Sequence, residues 1–167
     1  MTIDLMNALF EYVRERDRDE FALGDTLDVK TGILLVGLTF LAIQCGDFIK
    51  PHLPLCQMIA QIISVLALLV GGILAVYELW PRDYDREATP EEYETWISGT
   101  EKYRAEHPET VAITADRLIT TRLESGKKRV RVNLAINKLK SRFMFASFYC
   151  LTMAFSADIA TLIMRLF

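Results

Sequence analysis

Hydrophobic residues along this chain are concentrated in three blocks, and charged residues lie almost entirely outside them. No Asp, Glu, Lys or Arg occurs between Lys50 and Glu78, so residues 51–77 supply the roughly 20 apolar residues that a helix needs to cross a lipid bilayer. Tyr77 and Trp80 occupy the end of this block, where aromatic residues mark a membrane interface. The pattern predicts a transmembrane helix.

The other two blocks have the length and composition of further crossings. Residues 31–46 carry no charge and reach about 24 Å as a helix, which puts Asp47 at the far boundary of the membrane. Residues 48–54 contain two prolines and predict a short turn, so the first two blocks form a helical hairpin. Residues 143–164 reach about 33 Å as a helix and contain one acid, Asp158. We therefore expect three crossings.

Lysine and arginine are distributed unequally among the segments outside the blocks. The first 30 residues hold four, the turn holds one at Lys50, and residues 82–142 hold thirteen. Because short cytoplasmic segments of membrane proteins are enriched in these residues, the turn should face outward and the N-terminus should be cytoplasmic. No cleavable signal peptide is predicted, since the first apolar block follows an acidic, charge-dense stretch.

The segments outside the membrane are predicted to be mainly helical. Residues 1–22 have one apolar stripe at helical spacing, which favours packing against the linker; the stripe consists of Met6, Leu9, Phe10 and Val13. Thr89, Pro90 and Glu92 form a capping-box pattern that predicts the start of a linker helix. Between residues 118 and 134 the apolar residues fit either one helix or two strands about Ser125-Gly126, and we favour the helix.

These patterns together predict an all-α membrane protein in four parts. A cytoplasmic N-terminal helix occupies residues 1–30 and a transmembrane hairpin residues 31–80. A mainly helical cytoplasmic linker occupies residues 81–142 and a third transmembrane helix residues 143–167. The composition also indicates a membrane protein, because 51% apolar residues and a mean hydropathy of +0.21 exceed what a small water-soluble domain needs.

Residues for catalysis or metal binding do not converge in the sequence. His52 and His107 are far apart and fall on opposite sides of the predicted membrane. Gly126-Lys127-Lys128 lacks both the spaced glycine and the hydroxyl residue of a phosphate-binding loop. We predict no enzymatic activity, no metal and no cofactor. The three cysteines, Cys45, Cys56 and Cys150, are expected to be buried thiols; the alternative is a disulfide between the first two.

The linker divides into an acidic and a basic half. Residues 83–109 hold nine acids and three bases, whereas residues 127–142 hold seven bases and no acid. The two halves can pair within a subunit or between subunits. The basic half provides candidate ligand or partner contacts: Lys127, Lys128, Arg129 and Arg131. They suit either nucleotide or RNA phosphates or anionic lipid, and the absence of aromatic residues in this run favours lipid.

Asp158 is the only acid well inside a predicted crossing. By residue count it lies at the depth of Gln44 and Gln61, so the three side chains are candidates for one polar layer. An acidic ring around a symmetry axis would favour cations. The alternative is that Asp158 is protonated or hydrogen-bonded to one of the glutamines.

Three short stretches follow the layout of a known class of proteins. The first crossing is entered through Leu27-Asp28-Val29-Lys30-Thr31, the second ends in Leu79-Trp80-Pro81-Arg82, and the linker closes with Asn133, Ile136, Asn137 and Lys140. In this order the chain resembles the SLATT and Pycsar-type membrane effectors, which are small transmembrane modules of bacterial anti-phage nucleotide-signalling systems.

The resemblance implies a homo-oligomer, channel-like in action, that perturbs the bacterial inner membrane when a cytoplasmic signal is sensed. The chain has no room for the separate cyclic-nucleotide-binding domain of the Pycsar pattern. Recognition of a nucleotide signal or a sensor protein is therefore expected from residues 82–142 or from a partner chain. The alternative is a non-enzymatic anchor or accessory subunit that docks a larger complex through the two linker halves.

Overall fold

Four helices make up the computed structural model, which describes residues 3–48, 54–86, 88–108 and 115–166. They are α1 (Ile3–Phe48), α2 (Leu55–Leu79), α3 (Pro90–Glu106) and α4 (Ala115–Leu166). The described residues contain no strand, so the all-helical prediction is confirmed, and residues 118–134 are helical within α4. The predicted turn with Lys50 and His52 lies outside the described residues.

The linker helix α3 begins as its sequence predicts. The Thr89 side chain accepts a hydrogen bond from the Glu92 N–H at 3.3 Å, and the Glu92 carboxylate accepts one from the Thr89 N–H at 2.8 Å. This reciprocal pair is the capping box. Hydrogen bonds from its own backbone N–H and from Thr89 lower the pKa of the neighbouring Glu91.

The chain divides into two compact units. The charged unit comprises Met1–Phe21 and Asp83–Ala135, and the apolar unit comprises Ala22–Arg82 and Ile136–Phe167. Both α1 and α4 contribute residues to each unit. Each unit is thus built from segments that are distant in sequence.

The apolar unit has many large hydrophobic side chains on the outside, and its interior combines small and polar residues with a few leucines. On α2 the buried positions include Ser64, Ala67, Gly71 and Ala75. The exposed positions of the same helix are large and apolar: Ile59, Ile62, Ile63, Leu66, Leu69, Val70, Ile73 and Val76. This distribution suits helices packed against each other within lipid. Three helices are long and apolar enough to cross a membrane, with spans Asn7–Cys45, Leu55–Leu79 and Arg117–Leu166.

Side-chain contacts fix the directions of the helices in the apolar unit. α1 and α4 run parallel, since Asp28 contacts Lys140 and Cys45 contacts Asp158 further along both helices. α2 runs antiparallel to α1, since its Ser64 contacts Cys45 whereas Glu78, later on α2, lies beside Thr31, earlier on α1. The buried positions of all three helices recur at intervals of three and four residues, as in a coiled coil.

Candidate functional site

A polar layer crosses the apolar unit near the C-terminal end of α1. The Cys45 Sγ and Ser64 Oγ atoms are 3.2 Å apart, and the Cys45 thiol lies 3.4 Å from each carboxylate oxygen of Asp158. The Ser64 hydroxyl donates to the Ala154 carbonyl at 3.4 Å. Cys45 and Ser64 are buried, and Asp158 is half-buried. One helix thus supplies a carboxylate and two helices supply its polar surroundings.

Asp158 contacts a residue that the sequence analysis did not include in the polar layer. Within the described residues its only hydrogen-bond donor is the Cys45 thiol, which is a weak donor. Gln44 and Gln61 are half-buried, and their place in one polar layer with Asp158 stays a prediction. The sequence gives the depth of a residue along a helix, whereas the rotation of the helix decides that Cys45 faces α4 instead of its neighbour Gln44.

A second polar cluster lies at the opposite end of the apolar unit. The Lys140 ammonium forms an ion pair with Asp28, and Lys140 is only 3% exposed. Glu78 of α2 is completely buried beside Asp28 and Thr31. In the part of the chain that the structure describes, neither Glu78 carboxylate oxygen nor the Thr31 hydroxyl has a hydrogen-bond partner. The cluster therefore holds the Glu78 carboxylate and the Lys140 ammonium group away from water, whereas the Asp28 side chain is partly exposed.

The polar layer at Cys45 and the polar cluster at Asp28 are separated by about the thickness of a membrane. Asp28 and Cys45 are 17 residues apart on α1, which corresponds to about 26 Å along a helix. The hydrocarbon core of a bilayer is about 30 Å thick. Between the layers the helices pack through apolar residues: Leu34, Leu38, Ala67, Leu68 and Ala75. This spacing matches an apolar section bounded by polar groups at both ends.

The charged unit contains a cleft between α3 and α4 with a volume of about 440 Å³. The wall from α4 consists of Leu118, Thr121, Arg122, Ser125, Lys128 and Arg129. The facing wall carries Tyr93 and Trp96 of α3, together with Asp85 and Arg86 of the preceding segment. The Arg122 guanidinium lies 4.7 Å from the Tyr93 ring centre and 5.0 Å from that of Phe10. Basic and aromatic groups thus share one cleft.

The candidate basic contacts fall into three environments. Lys128 is exposed and lines the cleft, whereas Lys127 and Arg131 are exposed and do not. Arg129 lines the cleft but is buried, and its Nε donates to Asp17 Oδ2 at 3.4 Å. In the basic half, Arg129 pairs with Asp17 and Lys140 pairs with Asp28. Both acids belong to α1.

Of the three cysteines, which were expected to be buried, Cys56 is exposed. Cys45, Cys56 and Cys150 are free thiols, which are buried, exposed and half-buried respectively. The described ranges contain no group of three or more His, Cys, Asp or Glu side chains that would hold a metal ion. No protein-family model, curated protein or solved structure matches this chain.

Proposed function

We propose that this protein is a non-enzymatic, oligomeric effector of the bacterial inner membrane. Its apolar unit crosses the bilayer three times, and its charged unit lies in the cytoplasm with the N-terminus. A cytoplasmic signal received by the charged unit opens a path for cations through the assembled helices. The resemblance to SLATT and Pycsar-type effectors supports a role in anti-phage defence.

The half-buried carboxylate of Asp158 carries this proposal. Its helix neighbours Phe155, Ile159 and Leu162 are exposed and apolar. A charged side chain at the centre of a bilayer costs roughly 2.5 to 3.5 kcal/mol on insertion scales, and less near the edge. The single Cys45 thiol compensates little of that cost. Several copies of Asp158 around a hydrated axis would be solvated, and such an acidic ring favours cations.

Regulated expression in bacterial cells, with a membrane-potential dye, tests this activity. At high expression a minor fraction of assemblies is open without the signal, so we expect the wild-type chain to depolarise the cells. Asp158→Asn should reduce the depolarisation by about an order of magnitude, because the charge that attracts cations is removed. Asp158→Glu keeps the charge and serves as the matched control, with near wild-type depolarisation. Membrane insertion and oligomer size should be the same for all three proteins.

The alternative role as an anchor has an observation of its own. The acidic side chains of α3 are largely exposed, which suits a docking surface for a larger complex. An anchor would insert without depolarising the cells at any expression level. Unchanged depolarisation in Asp158→Asn would instead leave an effector in which this carboxylate has no part in the path.

A further inference from the structure

Bases outnumber acids among the residues that line the cleft of the charged unit. The lining contains four bases, Arg86, Arg122, Lys128 and Arg129, and two acids, Asp85 and Glu92. One of the bases, Arg129, is paired with Asp17, and the exposed Arg86 and Lys128 provide positive charge at the cleft surface. Such a lining favours an anion, and arginine and lysine are the side chains that bind phosphate oxygens.

The same cleft presents aromatic surface to a ligand. Trp96 is 44% exposed although its indole lines the cleft. One turn earlier on α3, Tyr93 packs against the Arg122 guanidinium, which fixes the position of that positive charge. An exposed indole face beside fixed positive charges suits the stacking of a planar ring. The basic run of α4 lacks aromatic residues in sequence, and α3 provides them across the cleft.

The size of the cleft limits the ligand to a small molecule. Its volume of about 440 Å³ lies within the roughly 300 to 1,000 Å³ of most small-molecule sites. The lining hydroxyls of Thr121 and Ser125 add polar groups to the α4 wall. We infer that the cleft binds a phosphorylated aromatic compound of about mononucleotide size, with the phosphate at Lys128 and Arg86 and the ring against Trp96. Its role as the activating signal rests on the proposed function, whereas the binding site rests on the cleft.

Tryptophan fluorescence of the full chain in lipid nanodiscs measures this binding. The chain has two tryptophans, so Trp80→Phe leaves Trp96 as the only reporter. The probes are AMP, GMP, CMP and UMP, with adenosine as a ring without phosphate and pyrophosphate as phosphate without a ring. We expect saturable quenching by at least one mononucleotide with a Kd below about 1 mM. Adenosine and pyrophosphate should bind at least about tenfold more weakly, because each lacks one of the two interactions.

Two charge reversals on adjacent residues locate the phosphate. Lys128→Glu should raise the Kd at least about tenfold, because it puts a like charge beside the phosphate. Lys127→Glu makes the same change in net charge outside the cleft and should leave the Kd within about twofold.

Three results would overturn the site: no saturable quenching by any mononucleotide, equal effects of the two reversals, or pyrophosphate bound as tightly as the nucleotide. Depolarisation by the wild-type chain and its loss in Asp158→Asn are measured separately. Absence of binding would therefore overturn the cleft site and leave the membrane activity standing.

Discussion

Asn133 is completely buried in the charged unit and joins three segments of the chain. Its amide nitrogen donates to Asp17 Oδ1 of α1 at 3.1 Å and to the Asp85 carbonyl at 3.2 Å. Its amide oxygen accepts a hydrogen bond from the Asp85 N–H at 3.1 Å. Both amide donors and the acceptor are satisfied, and a fully satisfied buried group fixes the positions of its neighbours.

Asp17 should be essential to the stability of this network. Asp17→Asn leaves the buried Arg129 without its counter-ion, and removing one partner of a buried ion pair costs about 3 to 5 kcal/mol. We expect hydrogen exchange of the α4 amides around Arg129 to be roughly a hundredfold faster or more in this variant. Asp19→Asn makes the same chemical change at an exposed position of α1 and should leave the exchange unchanged. Equal exchange in both variants would contradict a structural role for the pair.

At the scale of the helices, the sequence predicts where apolar segments lie but not which face of each helix is buried. Among residues 7–21 of α1 in the charged unit, the buried positions are Val13, Asp17 and Glu20, at intervals of four and three. Two of the three are acids, so a search for apolar periodicity does not register this face. For the same reason, apolar periodicity does not identify Glu78 and Lys140 as buried residues of the apolar unit. A seven-residue repeat that included polar residues would have found them.

α2 approaches α1 and α4 closely at Gly71. The Ser147 hydroxyl of α4 donates to the Gly71 carbonyl at 2.8 Å. A Cβ atom at Gly71 would meet the Cys150 Cβ at 2.9 Å and Leu38 Cδ2 at 3.1 Å. Close approach through a small residue is a common way for membrane helices to associate.

Substitution at this glycine should therefore be costly, in contrast to its neighbour. Gly71→Leu should lower the free energy of unfolding by about 1 to 3 kcal/mol, because the larger side chain forces α2 away from α1 and α4. A Cβ atom at Gly72 would meet no atom within 4 Å, so Gly72→Leu is the matched control. Unfolding by sodium dodecyl sulphate in mixed micelles measures the difference. Equal midpoints for the two variants would show that the helices are not packed through Gly71.

At the scale of the whole molecule, charge and hydrophobicity point to the same orientation in the membrane. The cluster of Asp28, Glu78 and Lys140 and the layer of Cys45 and Asp158 lie at opposite ends of the apolar unit. Lysine and arginine are concentrated in the segments next to the first of these polar regions, and the predicted turn beside the second contains one lysine. By the positive-inside rule we predict that the first region faces the cytoplasm.

This orientation predicts opposite accessibility for two positions in the chain. Single cysteines replace His52, in the predicted outer turn, and Ser98, which is exposed on the charged unit. The native cysteines are replaced in both variants by Cys45→Ser, Cys56→Ser and Cys150→Ala. Serine at position 45 keeps a hydroxyl beside Asp158, and alanine at position 150 keeps a small side chain opposite Gly71. An impermeant maleimide should label His52→Cys on intact cells and label Ser98→Cys only after the membrane is permeabilised. Labelling of Ser98→Cys but not His52→Cys on intact cells would reverse the orientation, and it would place the cleft outside the cell, where no cytoplasmic signal reaches it.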